Sequence, residues 1–174
     1  MKKIFKYLGA VLGCLSCLAL FVAPFALVVG SNVSKSTASE EYGLFADLSG
    51  LSDLYKLAGE NFQPFWVTLF QIAVIVATTI AVVMLLVYIL NDLGVIKAKK
   101  VEKLLSALLI VVGIVGLVAV ALCTMLNTYT VEALTVKTTT KFIATLLGWL
   151  VPVFAIAGGI VANLCADAKT KKKK

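Results

Sequence analysis

The chain contains neither histidine nor arginine. Without histidine, the commonest general base and the commonest metal ligand are both missing. Ser and Cys side chains therefore have no ordinary base to activate them. Charge is missing in a second, positional sense: the four long apolar blocks hold no Asp, Glu or Lys. Ionisable residues inside a membrane are the usual mark of a proton or ion path, and none is provided here. The acidic residues lie between the blocks (Glu40, Glu41, Asp47, Asp53 and Glu60 in one segment, Glu132 in another) or at their ends. Their spacing matches no calcium loop. No enzyme activity, metal or cofactor is expected from this inventory.

Cysteine is sparse. Cys14, Cys17, Cys123 and Cys165 lie within or at the edge of apolar blocks, which argues against a disulfide framework. Cys14 and Cys17 form a C-x-x-C, but in the middle of an apolar run, where a free thiol packs as a small hydrophobe.

What is present is apolar length. Of 174 residues, 61% are hydrophobic, against roughly 45–50% in soluble domains. The excess falls in residues 7–29, 65–90, 104–125 and 142–165. A hydrocarbon layer of ~30 Å needs about 20 such residues in a helix, so each block is long enough to cross. The expected fold is an all-α membrane protein, an antiparallel four-transmembrane-helix bundle forming one domain over residues 1–174. No alternating strand pattern is evident, so a β-barrel is not expected. The rival reading of the first block is a cleaved signal peptide. Its run exceeds the usual h-region of about 7–15 residues, and no clean A-x-A site ends it.

Lysine distribution sets the expected orientation. Lys2, Lys3 and Lys6, then Lys97, Lys99, Lys100 and Lys103, then Lys169 and Lys171 to Lys174 all fall on one side of four spans. Only Lys35, Lys56, Lys137 and Lys141 fall on the other. Both termini are thus expected in the cytoplasm and the chain in the plasma (inner) membrane. The tail (167–174), with Lys171, Lys172, Lys173 and Lys174, is expected to contact anionic lipids of the inner leaflet. Nucleic acid is not an expected partner, because a bare charge run is too little.

Between the blocks, residues 31–63 form the larger outer loop. Its second half carries Leu51, Leu54, Tyr55 and Ala58 at helical spacing, with polar residues between. That pattern predicts a short amphipathic helix, with Leu51, Leu54 and Tyr55 a candidate outer docking surface. The cytoplasmic connector, 91–103, contains Gly94 as an expected helix C-cap. Residues 127–140 are too short for a domain. Asn32-Val33-Ser34 fits a glycosylation pattern of low specificity.

Small residues recur along each block at steps of three and four. The runs are Gly9, Gly13, Ser16, Ala19, Ala23, Ala26 and Gly30; Ala73, Ala77 and Ala81; Ser106, Gly113, Gly116, Ala119 and Cys123; and Thr145, Gly148, Pro152, Ala155, Gly159, Ala162 and Ala166. Lipid tails are as apolar as leucine, so membrane helices associate by close packing, and small residues permit it. Pro24 and Pro152 are expected to kink their helices, and Trp66 and Trp149 to sit in the aromatic belt. Thr68, Gln71 and Thr78 share one face of the second span. That face is a candidate for interhelical hydrogen bonds or for lining a pore.

Two function classes lead, ahead of a small membrane enzyme, which ranks last for lack of catalytic groups. One is a non-enzymatic scaffold or accessory subunit acting through helix faces and the outer loop, with a membrane-protein partner. The other is a homo-oligomeric channel or small transporter with its pore between protomers. In outline, the helix order and larger first outer loop resemble claudin-like tetraspans. The Trp-Gly-Leu-Trp and paired-cysteine signature of that group is absent, so no family is assigned.

Overall fold

The computed structural model describes residues 2–21, 25–31, 37–42, 64–97, 99–126, 128–133 and 136–167. The order is α1 (Lys2–Cys14), a 3₁₀ turn (Leu15–Cys17), α2 (Leu18–Phe21), β1 (Phe25–Ser31), β2 (Thr37–Tyr42), α3 (Pro64–Asp92), α4 (Lys99–Leu126), β3 (Thr128–Ala133), β4 (Val136–Ala144) and α5 (Leu146–Asp167). Among the described residues, three helices are long and apolar enough to cross a membrane: Phe65–Asp92, Lys99–Leu126 and Leu146–Cys165. Ile4–Cys17 is a shorter apolar helix.

The strands depart from the all-α expectation. Residues 25–29, assigned above to the first span, lie in β1, and residues 142–144, assigned to the fourth, lie in β4. The strands join in one antiparallel sheet of order β2-β1-β4-β3. Leu27 stands opposite Glu40 on one side and Phe142 on the other, and β3 aligns with β4 from Thr128 opposite Lys141 to Ala133 opposite Val136. Two physical reasons explain the change. A short apolar run such as Phe25-Ala-Leu-Val-Val has no periodicity that separates a strand from a buried helix. The Thr138-Thr139-Thr140 run in β4 is β-branched and stiff about χ1, which favours extended backbone. Pro24, just before β1, supplies no N–H to a continuing helix; it lies outside the described residues.

The chain divides into two compact units. One comprises Leu18–Gln71 and Leu117–Leu150 and contains the sheet. In it Phe65 and Trp66 pack edge to face, with centroids 4.9 Å apart. Thr145, read above as part of the fourth span, stands just before α5. Its hydroxyl accepts from the Gly148 amide at 3.5 Å, the bond an N-cap residue makes to the third helical position.

The other unit comprises Met1–Cys17, Ile72–Gly116 and Val151–Lys174. Its core draws on four helices: Ala10 of α1, Ala77, Ala81, Met84 and Tyr88 of α3, Leu109 of α4, and Ala155 and Ala162 of α5. The small-residue runs are the buried sides of these helices. Gly9, Gly13, Ser16, Ala73, Ala77, Ala81, Ser106, Gly113, Gly116, Ala155, Gly159 and Ala162 are all buried. Opposite them, large apolar side chains stay exposed, among them Leu86 at 53% and Leu104 at 59%. In a water-soluble protein such surfaces would be a liability, whereas lipid accepts them.

The turn after α3 is the expected glycine cap. Gly94 has φ of +78°. The Val95 amide donates to the Leu90 carbonyl at 3.0 Å, and the Gly94 amide to Asn91 at 3.2 Å, a Schellman arrangement. Nothing lies within 4 Å of where a Cβ would stand at Gly94. Gly94→Ala therefore isolates backbone strain from packing. It should lower stability in mild detergent by about 1–2 kcal/mol, read as a fall in the thermal midpoint.

Candidate functional site

α3 ends in Asn91 and Asp92, and α4 begins within seven residues, carrying Glu102 in its first turn. The short connector sets these acidic ends side by side. α1 brings Lys6 to them, although its side chain is only 4% exposed. A buried ammonium is costly unless it is paired and hydrogen-bonded. Lys6 Nζ donates to Asp92 Oδ1 at 2.9 Å and lies 4.0 Å from Glu102 Oε1. It also stands over two aromatic rings, 4.7 Å from the centroid of Tyr88 and 5.2 Å from that of Tyr7. Those distances give cation–π attraction.

Both carboxylates accept further hydrogen bonds. The Tyr7 hydroxyl donates to Asp92 Oδ2 at 3.0 Å, and Asn91 Nδ2 donates to Glu102 Oε1. Tyr7 and Tyr88 meet edge to face at 5.9 Å. One ammonium, two carboxylates, an amide and the Tyr7 phenol from three helices are thus joined by hydrogen bonds and ion pairs, with the Tyr88 ring packed against the ammonium. Of the three charged side chains, Asp92 keeps the most contact with water, at 24% side-chain exposure. The arrangement offsets one of the two negative charges and ties helices together. It presents no nucleophile with a base, and no group of three or more metal-ligating side chains occurs among the described residues.

The sequence pointed to Lys6 only as a marker of orientation. Its pairing was readable in part. If four spans alternate, Lys6, Asp92 and Glu102 share one side of the membrane, and Glu102 is the sole acid among the lysines of its connector. The aromatic cage was not readable, because Tyr88 lies inside a run with no polar marker.

Helix contact is closest where glycines meet. A Cβ at Gly158 would stand 2.5 Å from the Gly9 carbonyl oxygen and 2.7 Å from the Gly13 amide nitrogen, both backbone atoms of α1. The reciprocal Cβ at Gly9 would stand 2.8 Å from the Gly158 carbonyl oxygen. On α4, a Cβ at Gly159 would stand 2.8 Å from the Ser106 carbonyl oxygen. Successive helical residues are about 100° apart, so the adjacent pair Gly158 and Gly159 lets α5 approach two neighbours. The fourth-span run above included Gly159 and omitted Gly158, the tighter of the two. Ser16 adds a buried hydrogen bond, donating to the Val151 carbonyl at 3.3 Å, one residue before Pro152.

The other candidate residues fall as follows. Thr68 is exposed on α3, and Gln71 and Thr78 are half-buried there. The Thr78 Oγ1 atom is buried and makes no hydrogen bond among the described residues. Leu51, Leu54, Tyr55 and the amphipathic segment around them lie outside the described residues, as do Lys171 to Lys174. All four cysteines are free.

No known protein family matches this sequence, and no curated protein matches it either.

Proposed function

We propose that this chain is a multi-pass protein of the plasma (inner) membrane, acting as a non-enzymatic scaffold or accessory subunit through contact rather than chemistry. The observation that carries this reading is the cluster around Lys6. The charges of its helical unit pair with one another at one end, while the helix lengths beyond that end carry no charged side chain. Such a protein offers surfaces to other proteins and no route for an ion through its own core. The glycine contacts of α5 support the same view, because backbones this close leave no width for a pore within one copy.

In this proposal the chain crosses four times. The apolar helical residues 7–21 extend about 22 Å at ~1.5 Å per residue and form most of the first span. Lys-rich ends keep both termini and the 91–103 connector in the cytoplasm. The strand segments and the 31–63 loop then emerge outside, and Leu51, Leu54 and Tyr55 form the docking surface for a membrane-protein partner. Lys171 to Lys174 rest against anionic lipids of the inner leaflet.

The second reading is a homo-oligomeric channel with its pore between copies. Thr68, exposed on α3, supports it, since a polar group on a face turned to a subunit axis would find its partner in another copy.

Two measurements separate these readings. Light scattering in mild detergent should give a single copy or a complex with a different protein; a closed ring of copies that conducts ions in liposomes would replace the scaffold reading with the channel. A reporter fused after Lys174 should be active inside the cell. Activity only outside would invert the topology.

A further inference from the structure

The connector after α3 carries positive charge that nothing among the described residues neutralises. Lys97, Lys99 and Lys100 are exposed and form no ion pair there. The acids nearest in sequence, Asp92 and Glu102, are already engaged with Lys6, and Glu102 is 4% exposed. Their negative charge is drawn into the cluster instead of balancing the connector. Beside the lysines, Leu93 and Val95 are 71% and 67% exposed. They flank Gly94, whose positive φ fixes the turn that carries them. Cations next to exposed apolar side chains are complementary to the boundary layer of an anionic membrane, where phosphates meet acyl chains.

We propose that residues 93–100 dock anionic phospholipid headgroups, with Lys97, Lys99 and Lys100 meeting the phosphates and Leu93 and Val95 entering the acyl boundary. Lys6 is a positioning residue for this surface. It touches no lipid and sets the charge behind the patch by holding Asp92 and Glu102 at a net single negative charge. Removing its ammonium would leave two negative charges within reach of the lysines, inside a Debye length of ~8–10 Å, and weaken lipid binding. The inference rests on the membrane reading above, and in particular on the connector facing the inner leaflet.

The test uses the full chain in phosphatidylcholine nanodiscs with added phosphatidylglycerol. Spin-labelled forms of the two lipids report their relative association with the protein. The native chain should prefer phosphatidylglycerol. Lys97→Gln, Lys99→Gln and Lys100→Gln together should cut that preference by about fivefold or more, since each lysine near an anionic surface contributes on the order of a fivefold factor. Neutralising Lys171 to Lys174 should lower it as well, and leave a residual preference that the three connector substitutions remove. Lys6→Met should lower the preference about twofold, and Lys6→Met with Glu102→Gln, which restores the native net charge, should return it. Where Lys6→Met does not fold, Glu102→Gln alone serves, and it should strengthen the preference. A preference indifferent to the three connector substitutions, or lost entirely with the tail, overturns the docking patch. A preference indifferent to Lys6 and Glu102 overturns the charge-setting role. Failure of the topology has a separate signature: labelling of Lys99→Cys, above the native background, by an impermeant maleimide added outside cells.

Discussion

Replacing Gly158 with leucine should abolish the folded helical unit in mild detergent. Even the first added carbon would stand 2.5 Å from the Gly9 carbonyl oxygen and 2.7 Å from the Gly13 nitrogen. Both obstacles are backbone, so no side-chain rotation relieves them, and α1 must move as a whole. Overpacking of this kind costs about 1–3 kcal/mol for small insertions. Gly158→Ala should therefore lower stability by roughly 2 kcal/mol, and the leucine variant by more. Gly94→Ala, costing about 1–2 kcal/mol from backbone strain alone, is the comparison that separates close approach from glycine content in general. Monodispersity and thermal midpoint are the measurements. A Gly158→Leu protein as stable as the native one would mean that α1 and α5 do not meet at these glycines.

The second large effect is expected at Lys6. Lys6→Met removes the ammonium that pairs with Asp92 and Glu102 and leaves the two carboxylates without that counter-charge. Breaking a buried ion pair from one side costs about 3–5 kcal/mol. Asp92 retains 24% side-chain exposure, so the lower end, about 3 kcal/mol, applies. Pairing the change with Glu102→Gln removes one stranded charge and should recover part of the loss. A surface lysine that only marks membrane orientation would behave differently, with an effect of about 0–1 kcal/mol. The stability of Lys6→Met thus discriminates directly between a cluster member and an orientation signal. The double variant shows whether the damage is electrostatic: a loss of equal size in both would place it in the packing of the lysine stem against Tyr7 and Tyr88.

The small-residue runs were legible because a helix has one geometric solution for placing residues at steps of three and four. Ala77, Ala81, Gly113, Ala155, Gly159 and Ala162 lie on the sides the spacing assigned to them. Gly94 was legible for a similar reason: a glycine following a long apolar helix takes the left-handed turn that other residues resist. The strands were not legible. Phe25 to Val29 is as apolar as the helix before it, and β1 exists because β2 and β4 bond it on both sides. One of those partners, β4, lies more than 100 residues away and leaves no trace in a local pattern.

The sequence by itself determined that long apolar helices would form, which of their sides would pack, and that no charge would lie along their lengths. These follow from composition and helical period, both local properties. Tertiary structure alone decided that Gly158 and Gly159 serve two different neighbours, that residues 25–29 and 142–144 leave their helices for a sheet, and that Lys6 turns inward to Asp92, Glu102 and the two tyrosines. Each of those depends on which distant segment lies opposite. A lysine beside open water and a lysine caged by carboxylates and rings read the same in the sequence until the helices that bring the cage together are in place.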